Sequence, residues 1–296
     1  MADAPDAQPP GAAESPSSVP PPMRTLTTGC GPLDRLLDGG LETDAVTLVF
    51  GESASGKTNL ALQCSREALS LGRRVAYVDS EGVSPQRLQQ VLGEQESAAE
   101  RLLNVFTPFD LEQQDRAVAQ ATKLPDLGLV VVDSINAHYR LFLDGDERAA
   151  QRSLLKQLSH LTQFARRLGV PVLVTGQVYG DEDTTQPFAQ RTMSHLVKAS
   201  VRFERQDEHG VRKATLVKHR SLPEGRRARF RIGAHGLEGP GGEGSPAARA
   251  GHDATDAHDD GPFRTADRHD HEAPAAGDES EADDEPEQPP AADPSW

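Results

Sequence analysis

Apolar residues fall in short runs separated by segments of helical spacing. The run "AVTLVF" at 45–50 has no polar gap and predicts a buried strand; a helical pattern follows it to about Leu71, stopping at Gly72. "RRVAYVDS" predicts a second strand. "SPQRLQQVLG" predicts a helix with Ser84 as N-cap and Pro85 in its first position. "LLNVFTP" predicts a third strand and "DLEQQDRAVAQATK" a helix capped by Asp110. "LGLVVVDS" predicts a fourth strand, apolar on both faces, then a long helix over about 147–168 and a fifth strand at "VPVLVTGQV". Strands apolar throughout and alternating with helices predict a parallel sheet covered on both sides. Later the pattern changes. "SVRFERQ", "RKATLVKHR" and "RARFRIGAHGLE" alternate in polarity, with turn signals "DEHG" and "LPEG" between them and no room for helices. They predict an antiparallel meander on the edge of the sheet.

Charge divides the chain further. The formal net charge of the 296 residues is -15. Sixteen Asp and Glu fall in 239–296 against Arg249, Arg264 and Arg268, and Asp3, Asp6 and Glu14 stand unopposed in 1–22. The centre is therefore close to neutral, and the overall acidity would hide a basic surface on it. Both ends are poor in large apolar side chains and cannot offset the entropy of ordering. The expected organisation is a disordered segment 1–22, a core 23–238 and a disordered acidic tail 239–296. The start lacks a charged stretch followed by an apolar run, and no segment is long and apolar enough for a membrane span, so a cytoplasmic protein without membrane contact is expected. Cys30 and Cys64 offer neither a disulfide framework nor a zinc ligand set, and Cys64 lies in an apolar run that makes it a core residue.

"GESASGKT", Gly51 to Thr58, follows a predicted strand and opens a helix, the context a P-loop requires. Backbone N–H groups of Gly51, Glu52, Ser53, Ala54, Ser55 and Gly56, and of Lys57, Thr58 and Asn59 at the helix start, can surround nucleotide phosphates. Lys57 would reach the β- and γ-phosphates of ATP, and the Thr58 hydroxyl would bind Mg²⁺. "LVVVDS" ends an apolar strand in Asp133, which would hold Mg²⁺ through water. "YVDSEG" puts Asp79 and Glu81 at a strand end beside the ligand crevice, on one side if the strand runs that far. A carboxylate there either polarises a water attacking the γ-phosphate or starts a turn in solvent; the pattern alone leaves both open. In "VKHRS", alternation would put Lys218 and Arg220 on one face and His219 on the other.

These segments, with the lead-in "TTGCGPLDRLLDGG" and "VTGQVY", resemble the RecA/RadA recombinase superfamily, most closely the archaeal RadB proteins, over about residues 23–238. The resemblance implies a RecA-like P-loop ATPase core: a mainly parallel sheet flanked by helices, with a C-terminal antiparallel extension. It implies that Glu81 activates water, that Gln177 senses the γ-phosphate, and that Lys218 and Arg220 reach the nucleotide of a neighbouring subunit in a homo-oligomer or a recombinase. It also implies two DNA loops, near 142–150 with Arg148 and near 180–192 with Arg191. Both are rich in acids, and the first 22 residues can supply neither an N-terminal DNA-binding domain nor a subunit-joining linker. The expectation is an accessory protein of recombination and repair: it binds ATP and single-stranded DNA, hydrolyses ATP weakly, and assists a RadA-type recombinase. The other reading is a KaiC-like ATP-dependent signalling protein that does not bind DNA.

Overall fold

In the computed structural model the described residues are 24–139, 147–178, 196–206 and 210–241, and all belong to one compact unit. The terminal segments 1–23 and 242–296 therefore lie outside the described residues, as do 140–146 and 179–195.

The chain begins with β1 (Thr25–Leu26), α1 (Gly31–Leu36) and β2 (Leu41–Glu42), where β1 and β2 form a small antiparallel pair. This is the "TTGCGPLDRLLDGG" lead-in. The Asp34 carboxylate accepts from the Thr27 hydroxyl at 2.6 Å and from the Thr28 amide and hydroxyl at 2.7 Å. Gly40 sits at φ 124, and a Cβ there would come within 2.1 Å of the Leu26 carbonyl oxygen, so only glycine lets the two strands close.

Next come β3 (Val46–Gly51), α2 (Lys57–Ser70), β4 (Arg74–Asp79), α3 (Pro85–Leu92), α4 (Glu96–Leu102), β5 (Leu103–Phe106), α5 (Leu111–Ala121), β6 (Leu127–Asp133), α6 (Glu147–Leu168) and β7 (Val172–Gln177). The N-cap of α5 forms as expected: Asp110 accepts from the Gln113 amide at 2.7 Å. Ser84 stands before α3 with Pro85 in the first turn, but its side chain makes no capping hydrogen bond. The last four strands are β8 (Ala199–Arg205), β9 (Val211–His219), β10 (Arg227–Gly233) and β11 (Gly236–Glu238).

One nine-stranded sheet has the order β11-β10-β9-β8-β3-β7-β6-β4-β5. The strands β3 to β8 that pair among themselves do so in parallel; β8 to β11 pair antiparallel. Two details differ from the sequence expectation. The meander is joined to the main sheet by a parallel contact, β8 against β3, so β3 is central. And "RARFRIGAHGLE" is two strands, because the chain reverses between Gly233 and Gly236, the latter at φ 123.

Alternation along the buried strands builds two apolar layers. Val49, Tyr77, Leu129, Val131 and Leu173 face α1 to α4 together with Leu60 and Cys64 of α2. Leu48, Phe50, Val78, Val130, Val132 and Val174 face α5 and α6. Helices on both faces leave the carboxyl ends of β3, β4, β6 and β7 opening on the same edge of the sheet, where such folds bind ligands.

Candidate functional site

β3 ends in the loop 51–56, which α2 continues. Gly51 has to be glycine because a Cβ there would lie 2.1 Å from the Phe203 carbonyl oxygen of β8. Gly56 adopts φ 105, and its Cα faces Phe230, Ile232 and Leu237 of the meander. The loop is thus held from the C-terminal strands as well as from its own helix. As in any helix, the first N–H groups of α2, those of Lys57, Thr58 and Asn59, have no intrahelical acceptor.

Lys57 is buried. Its ammonium donates to the carbonyls of Gly51 at 3.0 Å and Glu52 at 2.8 Å. An ammonium has three N–H groups, and these carbonyls take two. Burial pushes its pKa down, while Glu81, Asp133 and Glu52 pull it back up. Ser55 has a buried hydroxyl oxygen with no hydrogen-bond partner. A cavity of about 90 Å³ is lined by Ser53, Ala54, Gly56, Lys57, Thr58, Asn59, Glu81 and Gln177. It is smaller than the usual drug-sized pocket of roughly 300 Å³ or more, so it matches the phosphate end of a nucleotide and not the whole molecule. The Lys57 cation and the helix start, both lining this cavity, fit a phosphate group.

Asp133 ends β6 fully buried. One carboxylate oxygen accepts from the Tyr77 hydroxyl at 2.8 Å and the other from the Thr175 hydroxyl, and the Thr58 hydroxyl lies nearby. Burial raises its pKa; the Thr175, Tyr77 and Thr58 hydroxyls oppose that rise. With a hydroxyl already on each oxygen, the carboxylate is better placed to bind a metal's water than the metal itself. A carboxylate and a Thr hydroxyl beside a phosphate site are a donor set that suits Mg²⁺, which keeps several waters.

Asp79 and Glu81 do not share a side. β4 stops at Asp79, and the chain turns there. The Asp79 carboxylate is buried and accepts from the amides of Glu81 at 3.3 Å, Gly82 at 2.8 Å and Val83 at 2.7 Å. It fixes the loop that delivers Glu81. Glu81 itself reaches the cavity, where one oxygen accepts from the Ser134 hydroxyl and from the Gln177 side-chain amide at 2.9 Å. Asn136 holds Gln177 by its backbone, accepting from its N–H at 3.0 Å and donating to its carbonyl at 2.9 Å. Sequence reasoning selected Glu81 and Gln177 but passed over Tyr77, Ser134, Asn136 and Thr175. Ser134 and Asn136 were visible as "DSIN" directly after Asp133; nothing in the pattern singled out the other two.

The remaining candidates lie elsewhere. Lys218 is in β9 and donates to the Val197 carbonyl at 3.1 Å; burial and Lys198 lower its pKa. Arg220 is beyond the end of β9, so strand alternation does not reach it. It donates to Glu42 at 2.9 Å and to both Asp44 oxygens at 2.9 and 2.6 Å. His219 caps the following turn: its Nδ1 accepts from the amides of Ser221 and Leu222 at 3.2 Å, which fits the downward shift that burial gives its pKa. A cleft of about 580 Å³ beside Arg220 is larger than the P-loop cavity; of its lining, Arg220 is paired with Glu42 and Asp44. Arg148 is exposed in the first turn of α6; Arg191 lies outside the described residues.

The comparisons fit this geometry. Residues 22–240 match the Rad51 family. The chain belongs to the Rad51 family. It is 38% identical over 221 residues to the DNA repair and recombination protein RadB of Thermoplasma acidophilum, covering 73% of this chain and 94% of the relative. With RadB of Thermococcus kodakarensis the identity is 41% over 222 residues, 72% of this chain and 98% of the relative. A solved structure titled as the RadB recombinase aligns with a TM-score of 0.63 at 39% identity, over 73% of this chain and 99% of that one. This Rad51-family chain therefore has the RecA-like core that its motifs implied, and no helix among its described residues is long and apolar enough to cross a membrane.

A further surface belongs to the meander. Strand register puts Arg227, Arg229 and Arg231 of β10 on one face with Lys213 of β9 and Arg202 of β8, because Arg229 pairs with Lys213, Lys213 with Glu204, and Arg202 with Thr215, itself opposite Arg227. Among the described residues two acids share this face: Glu204, ion-paired with Arg202 at 3.4 Å and Lys213 at 3.1 Å, and Glu238, opposite Arg231 in β11. The opposite face carries Phe230 and Phe203, whose rings meet at a tilt of 49° with centroids 4.8 Å apart in the core.

Proposed function

We propose that this protein is an ATP- and DNA-binding accessory factor of homologous recombination and repair, a weak ATPase that assists a RadA-type recombinase. The observation that carries the ATPase reading is the meeting of Glu81 and Gln177 at the cavity that Lys57 and Thr58 line. In this reading Lys57 and the loop amides bind the phosphates. Thr58 directly, and Asp133 through water, hold Mg²⁺, which when bound offsets charge on the transferring phosphoryl group. Glu81 takes the proton of the attacking water. Gln177, bonded to Glu81 and fixed by Asn136, registers the presence of the γ-phosphate.

The likeness to RadB relatives supports repair over KaiC-like signalling. For DNA, single strands preferred, we place the contacts at Arg148 and Arg191 and on the cationic face of β8 to β10. Among the described residues that face gathers five cations around two acids, Glu204 and Glu238, a positive excess that suits a phosphate backbone. Lys218 and Arg220 acting on a neighbour's nucleotide, in a homo-oligomer or against the recombinase, would first require Arg220 to leave Glu42 and Asp44. The core is assigned to 23–238, and the tail 239–296 to solubility or charge repulsion outside it; a cytoplasmic setting goes with this reading.

The test is ATP turnover by the full chain, with and without single-stranded DNA, at several stated salt concentrations. Expected are slow hydrolysis that DNA increases and DNA affinity that falls with salt. ATP binding without any effect of DNA on turnover, and no DNA binding at low salt, would return the protein to the signalling reading.

A further inference from the structure

Two glutamines are buried between α5 and α6, where leucines would pack at lower cost. Gln114 is fully buried and Gln157 is 2% exposed. A buried side-chain amide is tolerated only when its donors and acceptor are met, and those of Gln114 are. Its amide nitrogen donates to the Ile135 carbonyl at 2.9 Å and to the Gln157 side-chain oxygen at 3.0 Å; its oxygen accepts from the Ser80 hydroxyl at 3.1 Å. Gln157 in turn donates to Asp115 and, at 3.2 Å, to Ser153.

The partners of Gln114 are adjacent in sequence to the groups around Glu81. Ser80 immediately precedes Glu81, and its amide donates to the Asp133 carbonyl at 2.8 Å. Ile135 immediately follows Ser134, whose hydroxyl donates to Glu81. One buried amide therefore ties together the two backbone segments that meet at Glu81, and secures both to α6.

We propose that Gln114 is a positioning residue for Glu81: it holds the 80–81 and 134–135 segments in register and is itself oriented from α6 by Gln157. This rests on the ATPase reading above. Without Gln114 the carboxylate keeps its chemistry but loses part of its fixed placement, and hydrolysis is more sensitive to placement than nucleotide binding is. Ser80→Ala removes one arm of the arrangement at a half-buried residue without opening the core.

The experiment measures kcat and KM for Mg-ATP, affinity for a non-hydrolysable ATP analogue, and melting temperature, for full-length wild type, Ser80→Ala, Gln114→Met and the double variant. Expected is a kcat lowered about tenfold in each single variant, with KM and analogue affinity within about twofold of wild type. The double variant should be no slower than Gln114→Met, because both substitutions cut the same connection. Variants that melt earlier but turn over at the wild-type rate below their melting point would overturn the proposal, since the amides would then only pack the core. Rate reductions that multiply in the double variant would also overturn it. A wild-type chain that binds the analogue yet hydrolyses no ATP would instead sink the ATPase reading, and this inference with it.

Discussion

Two regions of the molecule carry the polar chemistry, and they are organised in opposite ways. At the carboxyl ends of β4, β6 and β7, side chains converge: Ser134, Glu81, Gln177 and Asn136 form one hydrogen-bonded chain, and Glu81 and Gln177 line the cavity of the P-loop. At the end of β9 they diverge: Lys218 goes to the Val197 carbonyl, His219 to its own turn, and Arg220 to Glu42 and Asp44. Parallel strands deliver their ends to one edge, so successive motifs meet there by construction. A strand end in an antiparallel meander has no such rule, and the partners of the side chains beyond it come from whatever packs nearby.

The largest expected effect breaks the convergent region at its centre. Lys57→Ala removes the buried cation of the cavity and exposes bound phosphates to uncompensated charge. ATP binding should fall by about 100-fold or more, and turnover with it, read by titration of a fluorescent nucleotide and by phosphate release. Wild-type affinity in this variant would mean that the loop amides alone hold the nucleotide. Glu81→Gln sharpens the same region. The amide keeps the shape of the carboxylate but cannot accept a proton, so hydrolysis should drop by roughly 100-fold or more with binding retained. Loss of binding instead would make Glu81 a structural or metal-holding group.

The contrast also explains what the sequence made legible. β3, β4, β6 and β7 could be read because each is a nearly unbroken apolar run, and α5 because Asp110 caps it; α6 was expected at about 147–168 and is Glu147–Leu168, whereas α4 was not anticipated. Lys57, Thr58 and Asp133 could be read because the P-loop and its partner strand have fixed spacing. Glu81 stood out at a strand end, and the family resemblance gave it a role; the geometry expected around it was partly mistaken. Alternation would have put Asp79 beside it, yet the chain turns at Asp79 and the buried carboxylate caps the turn. Tyr77 and Thr175 stayed hidden because a hydroxyl inside a β-rich apolar run looks the same whether it packs or holds an acid. The parallel seam between β3 and β8 was missed because strand polarity depends on a long connection, not on local pattern.

A smaller effect tests the surface beyond the seam. Reversing charge at Arg227 and Arg229 should weaken single-stranded DNA binding and flatten its salt dependence, by up to about 0.7 in log–log slope for each phosphate no longer neutralised. Arg148→Glu in α6 serves as the comparison. If only Arg148→Glu changes the slope, DNA lies along the loops and the meander face is merely solvated.

The smallest effect concerns Arg220 and asks whether its own chain holds it in solution. The Arg220 guanidinium, hydrogen-bonded to Asp44, pulls the Asp44 carboxyl below its ordinary value. A folded-state pKa below the unfolded one contributes stability above the unfolded value, and that stability is lost as pH falls through the folded value. In the wild type the contribution is therefore complete above about pH 4, where an unfolded Asp titrates, and disappears on further acidification. Both side chains are more than a third exposed, at 41% and 46%, so solvent screening limits the pair to about 1 kcal/mol or less. Arg220→Ala should thus lower the melting temperature slightly at pH 7, the gap should close as pH falls through the lowered Asp44 value, and added salt should shrink it. A variant equal to wild type at every pH would mean that Arg220 is not held by Asp44 in solution. It would then be available to a neighbouring subunit at no cost, which is the condition that action in trans requires.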